Sequence, residues 1–380
     1  MALLIHTILI AGSNNAPLAA ARLVLPMIAL TMGAGAQLVG ILAALFSAAP
    51  IFFNVAVGRW ADRSGTFGPI LFSALLIVGA SALFLLAPSV PVLLVVACMI
   101  GGGAMFSHVV AIRAVSECGA PSDRMRNLGV LVVFYSLFQF IGPIAAGSAL
   151  EYYGTHAALW TIGGFGVVSV GMIALRLHNF TRTPKGGAEP PAPGRTAELL
   201  RLPDLRRWVV VSSLFSAVMT ILPFILSLHA LATGISAAQA GLLLGAYSIG
   251  SLISRASIGI ATRLFRAPVI LIGALLSGGA IYAALPFIHA FQPLAVLCLV
   301  LGLALGIGVP IALSLIYAAA PPDRVNESVG LTMALTNFLQ TSVPLALGVL
   351  ASSLGVGPMA WTLTAAMLAV AVLVWGGRKR

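Results

Sequence analysis

The chain has 380 residues, of which 60% are hydrophobic and 8% charged, with a formal net charge of +11 and a mean hydropathy of +1.09. So few charges cannot cover the surface of a water-soluble domain of this length, so the solvent is lipid. The arginine surplus points to nucleic acid only if location is ignored. Cys98, Cys118 and Cys298 have neither metal-ligand spacing nor a pairing pattern, so no metal site is expected.

Twelve spans, each long enough to cross about 30 Å of hydrocarbon, are expected at 3–31, 37–59, 68–88, 92–116, 127–150, 156–177, 207–231, 238–261, 267–288, 293–317, 327–352 and 358–375. The run from Ala2 is too long for a cleaved leader and lacks a basic lead-in. It reads as the first span, with a truncated start left open. The turns near 33–36, 88–91, 152–156, 233–237, 288–292 and 353–357 hold no Lys or Arg. The opposite loops hold Arg59, Arg63, Arg124, Arg126, Arg263, Arg266 and Arg324, and the C-terminus adds Arg378, Lys379 and Arg380. By the positive-inside rule both termini are cytoplasmic. The arginine, alanine and glycine bias fits a bacterial cytoplasmic membrane. Between the sixth and seventh spans, Thr183 to Arg195 is rich in Pro and Gly and reads as a linker. Thr196 to Leu202 is expected to form a short amphipathic turn, with Arg201, Arg206 and Arg207 near anionic lipid headgroups. The expected organisation is a six-helix half at 1–178, a cytoplasmic linker at 179–206 and a second half at 207–380.

The two halves repeat. Ala120 to Arg124 returns as Ala320 to Arg324, and after one inserted residue the register is 201. Gly129 then falls on Gly330, Gln139 on Gln340, Pro143 on Pro344, Gly147 on Gly348 and Gly154 on Gly355. Two similar hydrophobic halves in the same orientation are the pattern of a transporter built on a parallel repeat. The fold expected is an all-α membrane protein of twelve helices in two six-helix halves.

After the second span, Gly58-Arg59-Trp60-Ala61-Asp62-Arg63-Ser64-Gly65 resembles the signature loop of the major facilitator superfamily, without the basic pair that usually follows the second glycine. The resemblance covers essentially the whole chain. It implies that Gly58, Asp62, Arg63 and Gly65 form a latch that sets the conformational equilibrium. In the second half Arg263 stands where Asp62 does. Gly142-Pro143-Ile144-Ala145-Ala146-Gly147 resembles the exporter element of the same superfamily, with one residue more before the last glycine. Proline removes a backbone hydrogen bond and small residues admit a neighbouring helix. Pro344 and Gly348 repeat the pattern, which favours helix bending over an export signature.

Polar residues inside the spans carry the functional reading. Arg22 in the first span is the only basic residue outside the cytoplasmic set, and Asn15 lies seven residues before it on nearly the same face. Charge in a membrane helix faces a cavity or a partner, or snorkels to the interface. The family resemblance implies that spans one, four, seven and ten line a central cavity, which makes Arg22 the first candidate for solute contact. His108 in the fourth span is a hydrogen-bonding or protonatable candidate, with a structural histidine as the rival reading. Gln139, Asn337 and Gln340 either reach the cavity or join helices. Arg113, one turn before Glu117, and Arg255, which aligns with Asn54, lie near the cytoplasmic ends of their spans and read as gate residues.

All nine acids lie in loops or at span ends, and none at the membrane midplane where a pump for cations places one. An anionic or neutral small organic solute is therefore expected, with His108 or His229 as titratable groups if protons are coupled. There is no clustered catalytic set and no Gly-x-x-x-x-Gly-Lys-Ser/Thr loop, so neither an intramembrane enzyme nor a nucleotide-driven pump is expected. A non-transporting sensor would carry an appended soluble domain. No cofactor is expected. The reading is a monomeric secondary transporter working by alternating access, with efflux as the expected direction and uptake of an organic acid as the alternative.

Overall fold

The structure is a computed structural model and describes residues 2–116, 118, 123–175, 180, 196–321 and 324–376. All regular structure among the described residues is helical. The first six spans are α1 (Ala2–Thr31), α2 (Ala36–Ser64), α3 (Phe67–Leu86), α4 (Val90–Ser116) and α5 (Arg124–Ala174), the last counting twice. The second six are α6 (Pro203–Thr233), α7 with α8 (Ala237–Ala256 and Ile258–Leu264), α9 (Ala267–Ala284), α10 with α11 (Phe291–Gly306 and Gly308–Ala319), α12 (Val325–Leu354) and α13 (Val356–Gly376). A 3₁₀ turn at Thr196–Arg201 precedes α6, as expected from its amphipathic pattern. Helices are forced here because in lipid every backbone polar group must be satisfied within its own segment.

The repeat is present to the residue. Adding 201 to the first residues of α1, α2, α4 and α5 gives Pro203, Ala237, Phe291 and Val325, which begin α6, α7, α10 and α12. Gly154 and its repeat mate Gly355 both turn with positive φ, 81° and 77°. Only glycine adopts that backbone without strain, so each half reverses between its fifth and sixth spans there. The expected turn at 152–156 is thus reduced to one residue. Helical bonding runs on either side of Gly154, and α5 reads as a single 51-residue element.

Three other boundaries differ from the sequence expectation. The segment from Gly58 to Ser64 is helix, not loop, because no residue before Gly65 breaks the pattern; Gly65 alone turns, with φ of 80°. The eighth span breaks at Ser257 and the tenth at Ile307, so each is two helices in line.

The chain divides into two compact units: residues 1–189 with 236–245, and residues 190–235 with 246–380. In lipid the hydrophobic effect does not draw one helix to another, so contact is set by packing and small residues. In the first unit Gly101 on α4 meets the Phe46 backbone of α2 so closely that no Cβ would fit. In the second unit Gly302 on α10 meets the Tyr247 backbone of α7 in the same way. Both pairs are repeat mates, so one helix contact is built twice. A second contact is built by exchange. In the first unit Gly166 lies against Ile77 and Val78 of α3, whereas in the second Gly278 on α9 lies against Met367 of α13. The small and large partners have traded helices and the interface is kept.

Candidate functional site

The polar groups of the first unit collect where α1, α4 and the first half of α5 pack. Leu4, Ile8 and Ala11 of α1, Ala111 and Val115 of α4, and Leu131 and Tyr135 of α5 form one buried cluster. One turn away along α1 and α4 the side chains become polar. His108 stacks on Tyr135 with ring centroids 5.2 Å apart. Ser107 is buried and its hydroxyl has no hydrogen-bond partner among the described residues; the Tyr135 hydroxyl likewise has none. Asn14 is 0% exposed, and neither its amide nitrogen nor its amide oxygen is hydrogen-bonded. A buried polar group left unpaired costs about 1–3 kcal/mol. Several of them in an otherwise apolar bundle are donors and acceptors left open for a ligand.

Arg22 lies about 12 Å beyond Asn14 along α1, from the 1.5 Å rise per residue. It is half-buried, and its Nε is buried without a hydrogen-bond partner among the described residues. Asn15 is also half-buried. Of the two adjacent asparagines the structure thus turns Asn14 inward, whereas the sequence reading singled out Asn15. The repeat carries a signal for this. Asn14 falls on Phe215 and Ser107 on Gly308, and in the second unit the Phe215 ring packs directly against Gly308. What is an aromatic-on-glycine contact in one half is a pair of polar side chains in the other.

The remaining candidates do not join this layer. Gln139 is exposed on α5. Asn337 is half-buried on α12, where its neighbour Thr336 donates its hydroxyl to Ser213 Oγ at 3.1 Å. Gln340 Nε2 donates to the Ser216 carbonyl at 3.5 Å, the interhelical role given as its rival reading. Arg255 Nε donates to the Gly306 carbonyl at 3.5 Å, tying the end of α7 to the end of α10. His229 Nε2 lies 2.8 Å from the Ile288 carbonyl, and its ring stacks on His289 at 6.1 Å. Arg113 is half-buried, and its carbonyl accepts from the Ser116 hydroxyl at 2.8 Å. Glu117 lies outside the described residues, as do the surroundings of Gly58 and the side chain of Asp62. Arg63 is exposed in the last turn of α2. Trp60 of the same segment packs edge-on against Phe72, 5.6 Å away, and Phe72 stacks on Phe106 at 6.3 Å.

The Gly142-Pro143 element is a packing device. A Cβ on Gly142 would lie 2.6 Å from the Ala16 carbonyl of α1, and one on Gly147 would lie 2.5 Å from the Ala237 carbonyl of α7. Gly241 returns the contact, its would-be Cβ 2.6 Å from the Pro143 carbonyl. Just beyond, Glu151 Oε2 accepts from the Ala237 backbone N–H at 3.0 Å, where α7 begins. Pro344 and Gly348 are both buried on α12.

At the helix starts that follow the repeated Asp-Arg loops, Asp123 pairs with Arg126 at 3.1 Å and Arg324 with Glu327 at 2.7 Å. Counted from the helix starts, Asp123 and Arg324 are both the residue before the helix, and Arg126 and Glu327 are both its third residue. The ion pair is kept and its polarity reversed. Among the described residues no group of three or more His, Cys, Asp or Glu is placed to hold a metal.

The same architecture is found in solved transporters. The chain superposes on the nucleoside transporter NupG with a TM-score of 0.80, at 11% identity over 98% of this chain and 99% of that one. A POT family transporter in complex with 5-aminolevulinic acid gives 0.77 at 12% identity, covering 98% and 95%. The human organic anion transporter MFSD10 (TETRAN) gives 0.60 at 17%, covering 98% and 99%. A curated human relative, solute carrier family 67 member A1, is 28% identical over 209 residues, 50% of this chain and 47% of its own length. The chain thus spans about half the length of that relative. The family model of the Major Facilitator Superfamily matches residues 7–231 and 208–380, nearly the whole chain. With its described residues folded into membrane helices in two repeated halves, the protein is a multi-pass membrane protein belonging to the Major Facilitator Superfamily.

Proposed function

We propose that this protein moves a small organic anion, or a neutral solute with a polar end, out of the cytoplasm by alternating access. The observation that carries the reading is Arg22. It is the lone cation set within the first span, its Nε is buried without an acceptor, and no acid stands at midspan to answer it. A guanidinium in that position attracts a carboxylate or phosphate and repels a cation. Asn14 and Ser107 supply further unpaired donors and acceptors in the same unit. The anion transporter, nucleoside transporter and POT family transporter of this fold bind different solutes, so the fold likeness leaves the choice of solute to these side chains. His108, stacked on Tyr135, is the titratable group of the layer and the proposed site of proton coupling. The arginine distribution favours cytoplasmic termini, in a bacterial cytoplasmic membrane, with a single chain as the working unit.

Uptake of an organic acid is the second reading. The Gly142-Pro143-Gly147 element does not separate the two directions, because its glycines are accounted for by helix contact. Transport assays in inverted and right-side-out vesicles, with and without a pH gradient, separate the two. A thermal-shift screen of anionic, neutral and cationic solutes tests the solute class. Stabilisation by cations alone would overturn the anion reading.

A further inference from the structure

A groove of about 650 Å³ opens in the second unit, where the start of α6 meets the end of α13. Arg206, Arg207 and Asp204 form its polar wall, Val210 and Leu373 its apolar wall, and Gly376 its end. None of these residues takes part in the solute reading above.

Arg207 is held unusually firmly for a helix-end arginine. Its side chain is 15% exposed, its Nη2 donates to Asp204 Oδ1 at 2.7 Å, and its guanidinium carbon lies 4.5 Å from the Trp208 ring centroid. Its Nε, in contrast, is buried with no hydrogen-bond partner among the described residues. Arg206 stands exposed beside it. One carboxylate thus takes Arg207, Arg206 lines the same groove with no ion pair among the described residues, and the Arg207 Nε–H is unused. The first turn of α6 adds the positive end of a 31-residue helix. In sequence, Gly376 is followed closely by Arg378, Lys379 and Arg380. The groove thus joins a cationic head, with a donor to spare, to an apolar wall.

We infer that this groove binds the headgroup of an anionic phospholipid. Its phosphodiester would take the guanidinium edge of Arg206 and Arg207, and an acyl chain would run along Val210 and Leu373. Arginine forks suit phosphate oxygens, and the apolar wall is what a soluble phosphate would leave unused. The cytoplasmic orientation proposed above places the groove in the leaflet where anionic lipid attracts such clusters.

The test uses the full chain purified in a neutral detergent and follows thermal unfolding with phosphatidylglycerol, phosphatidylcholine or inorganic phosphate added. Phosphatidylglycerol should raise the midpoint by about 2–4 °C, with phosphatidylcholine and phosphate leaving it in place. R206Q, an exposed change that leaves the Asp204 pair intact, should reduce the shift, and R206Q/R207Q should abolish it. R207K, which keeps the charge but loses the fork, should fall between. An equal phosphatidylglycerol shift in wild type and R206Q/R207Q would overturn the inference, as would an equal shift with phosphatidylcholine. An equal shift with inorganic phosphate would assign the groove to a soluble anion and overturn the lipid. The readout is unfolding, not transport, so its failure leaves the Arg22 reading standing.

Discussion

At Arg22 and Asn14 the protein keeps polar groups in places where apolar ones would be more stable. Replacing Arg22 by alanine removes a charged hydrogen-bonding group from the first span, and a bond to a charged group is worth about 1.5–3 kcal/mol. Transport of an anionic solute in proteoliposomes should therefore fall about tenfold or more, while the melting temperature without solute holds or rises. Arg22→Lys should recover only part of the loss, because an ammonium lacks the Nε edge. The Asn14→Phe/Ser107→Gly double variant installs the pairing seen at Phe215 and Gly308. It should raise the melting temperature, since it exchanges unpaired polar groups for packing, and it should abolish solute-dependent stabilisation. A double variant that still responds to solute would remove Asn14 and Ser107 from the site. Arg22 was legible in the sequence because a lone charge in an apolar run stands out without any knowledge of its neighbours. Asn14 was not. It and Asn15 are adjacent, about 100° apart around the helix, and only the packing of α1 against α4 and α5 decides which one turns inward.

Among the helices, the repeated contacts identify which glycines the architecture requires. Gly101 and Gly302 each sit on a neighbouring backbone with no room for a Cβ, so Gly101→Ala or Gly302→Ala must push two helices apart. Each should lower stability by about 1–3 kcal/mol, the usual cost of overpacking. Gly279→Ala is the control: its nearest neighbour would be a Thr364 methyl at 3.7 Å, ordinary contact distance, and its melting temperature should stay within a degree or so of wild type. The reversed ion pairs allow a second measurement. Arg324→Glu should weaken the start of α12, and adding Glu327→Arg should restore it, since the first half carries that polarity at Asp123 and Arg126. The effect will be small, about 1 kcal/mol, for a pair whose side chains are 24% and 22% exposed. Failure of the second change to rescue the first would point to the longer Arg324–Glu198 contact of 3.6 Å as the one that matters. The sequence aligned the Asp-Arg dipeptides of the two loops. The side chains instead correspond by the helix starts, Arg124 on Val325, so the reversal emerged only from the structure.

For the molecule as a whole, the distribution of arginine sets a topology that chemistry can read directly. In a variant with Cys98, Cys118 and Cys298 replaced, a single cysteine at Ser89, between α3 and α4, should react with a membrane-impermeant thiol reagent from outside intact cells. One at Arg266, between α8 and α9, should react only in inverted vesicles. Labelling of both from the same side would break the twelve-span topology, because α3 and α9 would then have to run opposite to their places in the repeat.

Hydropathy, charge and the 201-residue repeat were enough for the class of solvent, the placing of the spans and the parallel halves, and the resemblance of Gly58 to Gly65 to a signature loop pointed to the family that the family model then showed. These are properties of long segments, and each residue contributes a little to them whatever it touches. The tertiary structure decided what rests on single contacts. It reduced the turn in α5 to Gly154, extended α2 through the signature segment to Gly65, and turned Asn14 inward in place of Asn15. It also set Gly142 and Gly147 against the Ala16 and Ala237 backbones, and Arg207 against Trp208 with one donor unused among the described residues. A pattern along one chain fixes which face of a helix is apolar to within a residue or so. Which atom meets which is settled only when a second helix is laid against it, where small residues leave backbones in contact and a single methyl group decides the distance.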